Sequence, residues 1–163
     1  MISVLEPVEF AGMTLASRIA RSATAERLTL RDEAQCEALA AMYLALVRGG
    51  VGLIISGHIA VDPSGRVSPN MPGLYREDQI PAWRRVVEAV HAAGGRIAAQ
   101  LNHGGGRCKP EVIGSGPAAG VFGGPVCVSR APDREADPLD GAPLDPEGVE
   151  ILVSRFAAAA RRA

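Results

Sequence analysis

The fold is decided by two segments, GGVGLIISGH at residues 49–58 and GGRIAAQLNHGGGR at residues 94–107. In each, a glycine pair precedes a short apolar run, and a polar, glycine-rich loop follows it. Between them, apolar residues recur at helical spacing: Ile80, Trp83, Val86, Val87 and Val90. Two buried strands joined by a helix form a βαβ crossover, and α/β folds carry their chemistry on the loops after the strands. We therefore predict parallel strands with a functional site at their carboxyl ends.

Neighbouring segments extend this α/β pattern. Asp78 and Pro81 are predicted to begin the helix between the two strands, and Gly94-Gly95 to end it. In chain order we further predict a β-hairpin over residues 8–15, a strand over 18–23, a helix over 32–48, strands over 51–55 and 97–101, and a helix that begins at Asp145 and Pro146. This order suits a (β/α) barrel and a doubly wound sheet equally, and periodicity does not choose between them.

Composition limits the class of protein. The 163 residues, 47% of them hydrophobic and 21% charged, are enough for one domain with a core. Residues 109–143 are rich in Gly, Pro, Ala and Asp, and they predict a long loop excursion within that domain. The net charge of −1 and the 4% of aromatic residues argue against a nucleic-acid or membrane-surface partner. With no signal-peptide pattern at the N-terminus and no apolar run of membrane-spanning length, we expect a cytoplasmic protein.

The thiols and imidazoles suggest no metal site. The cysteines are Cys36, Cys108 and Cys127, and no two of them form a C-x-x-C pair, which favours free thiols in a reducing compartment. The three histidines share no metal-ligand spacing. His58 and His103 are each predicted to follow a strand, where either can line a site or cap a turn, whereas His91 near a helix end is predicted to be structural. Arg107 can contact an anion or stay a solvated loop residue.

Four stretches of the chain stand in the order and spacing of one known family. They are SRIARSAT at residues 17–24, residues 49–57 with VDPSGR at 61–66, QLNHGGGR at 100–107, and residues 143–163. Together they resemble the Old Yellow Enzyme family of FMN-dependent oxidoreductases, the NADH:flavin oxidoreductase group. The resemblance implies a (β/α)8 TIM-barrel fold with FMN across its carboxyl mouth. Residues 1–163 would then be the N-terminal part of a single FMN-binding domain, with the hairpin and about the first three βα units.

The resemblance also implies cofactor-binding roles for five residues. Ala23, Thr24 and Ala25 would follow the first strand with small side chains, so that backbone groups reach the flavin. Gly57 would let a ring approach closely, and the Gln100 amide would match the N3–H and C2=O edge of the flavin. From the residues alone, the small side chains can equally end a strand and the glycine can equally form a turn. Ala25 stands where many family members have a Thr or Cys that hydrogen-bonds the flavin, a bond that alanine cannot donate.

For a complete enzyme, the resemblance implies that NADH or NADPH reduces FMN, which then reduces an activated alkene, as in an ene-reductase. The family's substrate-binding His pair, Tyr proton donor and phosphate site match no segment here. We therefore predict no catalytic residue in these 163 residues, and weak or no FMN binding by the chain alone. One alternative is a non-catalytic half-barrel subunit or interaction module that pairs with a copy or a complementing chain. Another, a phosphate-binding (β/α) isomerase, is disfavoured by Gln100 and by the lack of a phosphate loop.

Overall fold

The computed structural model describes residues 3–108, 110–113, 126–127 and 142–163. Its strands are β1 (Val8–Phe10), β2 (Met13–Leu15), β3 (Ala20–Arg21), β4 (Leu53–Ala60), β5 (Ile97–Asn102), β6 (Val126–Cys127) and β7 (Ala142–Pro143). Its helices are α1 (Glu33–Arg48), α2 (Ile80–Ala92), α3 (Pro110–Ile113) and α4 (Pro146–Arg162). Within these described ranges, no helix is both long and apolar enough to cross a lipid bilayer.

The strands form three separate sheets in the described part of the chain. β1 and β2 are antiparallel, as the hairpin prediction required. β3, β4 and β5 lie in that order in one sheet, and β3 runs parallel to β4. β6 and β7 form a short parallel pair within the predicted 109–143 excursion, most of which lies outside the described residues.

The strand bounds differ from the prediction in a way that matters for the site. β4 was predicted to end at Ile55, yet it continues to Ala60, so Gly57 and His58 lie inside the strand and do not follow it. The apolar run stops at Ser56, but the strand continues because Ser56, Gly57, Ile59 and Ala60 are all buried and the hydroxyl is hydrogen-bonded. β3, predicted over residues 18–23, is paired only at Ala20 and Arg21.

The chain divides into two compact units, and the first comprises Met1–His58 with Asp78–Gln100. Its core forms where α1 packs on α2, and the buried side chains there include Leu39, Tyr43, Val86 and Val90. Each such side chain contributes about 1.5–3 kcal/mol relative to an exposed one. Asp32 caps α1 by accepting the Gln35 N–H at 2.9 Å.

Two details of the first unit correct the predicted helices. The residue at the N-cap of α2 is Gln79 and not Asp78, because a short 3₁₀ turn over Glu77–Gln79 precedes the helix. The helical spacing of Leu39, Met42, Tyr43, Leu46 and Val47 predicts that Met42 lies on the apolar face of α1, yet 37% of the residue is exposed.

The second unit comprises Ile59–Glu77 with Leu101–Ala163. The predicted start of α4 is confirmed, because Asp145 Oδ1 accepts the Gly148 N–H at 2.7 Å and Pro146 occupies the first turn. The buried cluster is Val61, Leu152 and Ala159, with Leu101, Leu144 and Phe156 packed against it. The spacing of Val149, Leu152, Val153 and Phe156 predicts that Val153 lies on the apolar face of α4, but it is 62% exposed, so the buried face is narrower than this run of apolar residues.

Candidate functional site

All five predicted site residues lie in the first unit, and Arg21 at the end of β3 fixes the loop that carries three of them. The guanidinium donates through Nη1 to the Ile55 carbonyl oxygen at 2.7 Å and through Nη2 to the Thr24 carbonyl oxygen at 2.9 Å. Nη2 also lies 2.9 Å from the Glu26 carboxylate. Arg21 therefore holds the loop on one side and β4 on the other.

Glu26 is the buried anion at the centre of this arrangement. Its side chain is only 5% exposed, and its carboxylate accepts the Tyr43 hydroxyl at 2.6 Å and the Gly57 N–H at 2.9 Å. A buried charge is tolerated only when it is paired and hydrogen-bonded, and here the partners come from β3, α1 and β4. Removing one partner of such a pair typically costs about 3–5 kcal/mol.

Tyr43 completes the cluster from the buried face of α1. Burial, followed by the hydrogen bond to Glu26, raises the pKa of the phenol well above its usual value, so the hydroxyl stays a donor. The Arg21 guanidinium carbon lies 5.5 Å from the centre of the Tyr43 ring, within cation–π range. The charged cluster therefore consists of Arg21, Glu26 and Tyr43, and we call it the Glu26 cluster.

Gly57 is glycine because the loop occupies the space of a side chain. A Cβ at this position would lie 2.6 Å from the Thr24 carbonyl oxygen and would collide with a carboxylate oxygen of Glu26. The prediction gave this space to a ligand ring. The structure instead shows that the loop after β3 packs directly on the β4 backbone here, which brings Thr24 and Gly57 together.

Ser56 joins Gly57 to Gln100. Its hydroxyl, 1% exposed at the residue level, accepts the Gln100 N–H at 3.0 Å and donates to the Gly57 carbonyl oxygen at 2.9 Å. The Gln100 backbone is thus fixed from β4, whereas the residue itself is exposed. Within the described ranges, the Gln100 amide group has no hydrogen-bond partner, so both its donor and its acceptor face are available.

The three predicted segments are therefore connected by one series of contacts. The Ser56 hydroxyl is hydrogen-bonded to both Gln100 and Gly57, and the Gly57 N–H donates to Glu26. Glu26 directly follows Ala23, Thr24 and Ala25 in the loop. Ala23 is half-buried, and Thr24 and Ala25 are exposed. The result is an exposed set of small side chains and one free amide on a rigid support. It fits the flat edge of a heteroaromatic ring that presents alternating donors and acceptors.

The other candidates lie elsewhere or have structural partners. His58 is half-buried within β4, His91 is exposed at the end of α2, and Arg107 is exposed. In the second unit, His103 Nδ1 accepts the Gly105 N–H at 3.1 Å and Nε2 lies 3.2 Å from Ser64 Oγ. Cys36 and Cys108 are buried free thiols, and the side chain of Cys127 lies outside the described residues.

His103 belongs to a buried hydrogen-bond chain. Because Nδ1 accepts a backbone N–H, the ring proton is on Nε2, which donates to Ser64 Oγ; that hydroxyl donates to Asp62 Oδ1 at 2.6 Å. Burial lowers the pKa of His103, only partly opposed by the Asp62 charge. His103 thus joins the turn after β5 to the loop over residues 62–65, which makes it a turn-fixing residue.

Comparison with known proteins identifies the family. The sequence model of the NADH:flavin oxidoreductase / NADH oxidase family, a family of FMN-dependent enzymes, matches residues 3–163. The chain belongs to this family. A probable NADH-dependent flavin oxidoreductase of Bacillus subtilis is 27% identical over 164 aligned residues, which cover 98% of this chain and 41% of that protein.

Solved structures agree with this assignment. The old yellow enzyme of Trypanosoma cruzi superposes with a TM-score of 0.75 at 25% identity, over 98% of this chain and 47% of that one. Morphinone reductase in complex with tetrahydroNAD gives a TM-score of 0.72 at 25% identity, over 99% and 46% respectively. The chain thus spans less than half the length of these relatives. Its fold is that of the corresponding part of an old yellow enzyme TIM barrel, and the described residues form no closed barrel.

Sequence reasoning missed the Glu26 cluster and Ser56. Two signals in the sequence could have revealed the Glu26 cluster. A tyrosine on the apolar face of α1 requires a partner for its hydroxyl, and the loop that follows the first strand supplies an acid two residues after Thr24. The pairing itself is not visible in the sequence, because 17 residues separate Glu26 from Tyr43 and 31 separate Glu26 from Gly57.

Proposed function

We propose that Ala23, Thr24, Ala25, Gly57 and Gln100 form one side of the FMN site of an ene-reductase-type oxidoreductase, and we call these five residues the flavin wall. The observation that carries the proposal is the exposed Gln100, whose amide group has no hydrogen-bond partner among the described residues and whose backbone is held through Ser56 to Gly57. The residues present fit the cofactor that the family uses, because the exposed Gln100 amide can both donate and accept a hydrogen bond, and the loop packed on Gly57 carries the small side chains of Ala23, Thr24 and Ala25. Bound FMN would supply hydride transfer from NADH or NADPH to an activated alkene.

Each residue of the wall has a defined task in this proposal. The Gln100 amide would donate to one carbonyl oxygen of the flavin pyrimidine and accept from the neighbouring ring N–H. The loop with Ala23, Thr24 and Ala25 would donate to the flavin through backbone N–H groups, since the two alanines have no polar side chain and the Thr24 hydroxyl donates to the Ser22 carbonyl oxygen. The nicotinamide donor, the alkene substrate and a cytoplasmic location belong to the same proposal for the whole protein.

A chimeric enzyme tests the proposal. Residues 3–163 would replace the matching segment of the Trypanosoma cruzi old yellow enzyme, and FMN binding would be followed by flavin absorbance and fluorescence. We expect stoichiometric FMN, NADPH- or NADH-dependent reduction of an enone, and an affinity for FMN about tenfold lower in Gln100→Ala, the size of one to two neutral hydrogen bonds. Gln79→Ala, a change outside the wall, is the matched control. A folded chimera that lacks flavin absorbance contradicts the proposal.

A second candidate function, a non-catalytic subunit that completes its sheet on another chain, is favoured by one observation. β5 is the last strand in the order β3-β4-β5, and Ala98, Ala99 and Gln100 on it are exposed. An edge strand with small exposed side chains can pair with a further strand. Light scattering coupled to size exclusion separates the candidates: a defined dimer favours the subunit, and a monomer disfavours it.

A further inference from the structure

The Glu26 carboxylate receives hydrogen bonds or an ion pair from three different elements. Arg21 ends β3, Tyr43 lies on α1, and Gly57 lies in the middle of β4. Glu26 itself lies in the loop between β3 and α1, directly after the three residues that are expected to face the flavin. A carboxylate so placed fixes the loop relative to the sheet at one point.

The loop is fixed at a second point by Arg21. Its Nη2 donates to the Thr24 carbonyl oxygen while its Nη1 donates to the Ile55 carbonyl oxygen on β4. The backbone of residues 24–26 is therefore held at both ends, and Gly57 leaves just enough space for it. Because Ala23 and Ala25 have no polar side chain and the Thr24 hydroxyl donates to the Ser22 carbonyl oxygen at 3.2 Å, the donors that residues 23–25 can offer a ligand are backbone N–H groups, whose position the two contacts determine.

We propose that Glu26 is the positioning residue of the flavin wall. Its carboxylate, paired with Arg21 and Tyr43, holds the backbone of residues 23–25 in the position from which it can contact the flavin ring. This inference rests on the proposed function. Glu26 does not itself touch the cofactor, since its carboxylate is buried and its contacts are with Arg21, Tyr43 and Gly57. It acts through geometry: in enzymes generally, displacement of a contacting group by about 1 Å can lower the reaction rate by up to about a hundredfold.

The first test uses the 163-residue chain without any ligand. Backbone amide NMR signals of residues 23–25 and Gly57 are compared among the unchanged chain, Glu26→Gln, Tyr43→Phe and Leu39→Ala. Leu39→Ala is the matched control, because it removes a buried side chain from α1 and destabilises the same unit without changing a group that hydrogen-bonds Glu26 or Thr24. We expect Glu26→Gln to shift and broaden these signals, Tyr43→Phe to do so less, and Leu39→Ala to leave them in place.

The second test measures FMN affinity in the chimera described above. We expect about a tenfold weaker affinity in Glu26→Gln, about two- to threefold in Tyr43→Phe, and a change within about twofold in Leu39→Ala. The positioning role is overturned if Glu26→Gln and Leu39→Ala lose equal FMN affinity, or if the loop NMR signals shift while the FMN affinity stays the same. Either result leaves the proposed function intact. A folded chimera with the unchanged sequence that binds no FMN overturns the proposed function, and the positioning role with it.

Discussion

At the scale of single residues, Gly57 shows how a position can be required without touching a ligand. The missing side chain makes room for Glu26 and for the Thr24 carbonyl oxygen, both from the loop after β3. The sequence alone offers a ring or a turn as reasons for this glycine. The structure adds a third reason, which is the packing of the chain on itself.

We expect Gly57→Ala to lower the free energy of unfolding by roughly 1–3 kcal/mol, because the added methyl group must displace the Glu26 carboxylate or the loop backbone. Gly49→Ala is the matched control, since the nearest atom to its Cβ would be the Ala45 carbonyl oxygen at 3.3 Å. Urea denaturation followed by circular dichroism measures both. If the two variants have the same free energy of unfolding, the loop can move without loss of stability, which would contradict the tight packing at Gly57.

His103 gives a prediction about pH at the same scale. Its pKa in the folded chain lies below the ordinary value of 6.5, because burial disfavours the charged ring more than the Asp62 charge favours it. Above pH 6.5 the ring is neutral in the folded and unfolded states, and its contribution to stability is complete. As the pH falls below 6.5, the unfolded chain binds the proton first, so stability is lost down to the folded pKa.

The slope of the free energy of unfolding against pH measures this effect. We expect His103→Gln to remove a slope of at most about 1.4 kcal/mol per pH unit below pH 6.5, the limit for one proton. If His103→Gln keeps the same slope as the unchanged chain, His103 is not held neutral by its surroundings.

At the scale of elements, the sequence predicted what local rules control. The hairpin, α1 with its Asp32 cap and α4 with its Asp145 cap follow from turn residues, periodicity and capping, all of which act within a few positions. β4 was predicted too short, because a hydroxyl and a glycine interrupt the apolar run although both are buried. Their burial depends on partners far along the chain: Ser56 needs Gln100, and Gly57 needs Glu26.

The difference between local rules and long-range contacts also explains which site residues were predictable. Ala23, Thr24, Ala25, Gly57 and Gln100 were chosen because strand ends carry function in α/β folds and because a family pattern matched them. The structure joins them through Ser56 and the Glu26 cluster, and whether they bind FMN stays a prediction. Arg21, Glu26 and Tyr43 were missed because the hydrogen bonds that Glu26 accepts from Tyr43 and Gly57 span 17 and 31 residues and leave no periodic signal in the sequence.

At the scale of the whole molecule, the share of the relatives that this chain spans decides its behaviour toward FMN. The chain covers 41% of the Bacillus subtilis relative and supplies three parallel strands to a fold that has eight. In TIM barrels the phosphate group is typically bound after strands seven and eight, and each such charged contact contributes more than a neutral one. The proposed flavin wall would offer one amide and backbone groups, which are weak ligands when they act alone.

We therefore expect the 163-residue chain to bind FMN with a dissociation constant above about 10 µM, which corresponds to a binding free energy no better than about −7 kcal/mol. Titration of FMN with the purified chain, followed by flavin fluorescence, measures it, and riboflavin is the control ligand because it lacks the phosphate. Because the phosphate group of a TIM-barrel ligand is typically bound after strands seven and eight, we expect FMN and riboflavin to bind about equally weakly. Tight stoichiometric binding of FMN but not riboflavin would show that these residues hold the phosphate as well as the ring, and the division of the site between this wall and the later strands would then be wrong.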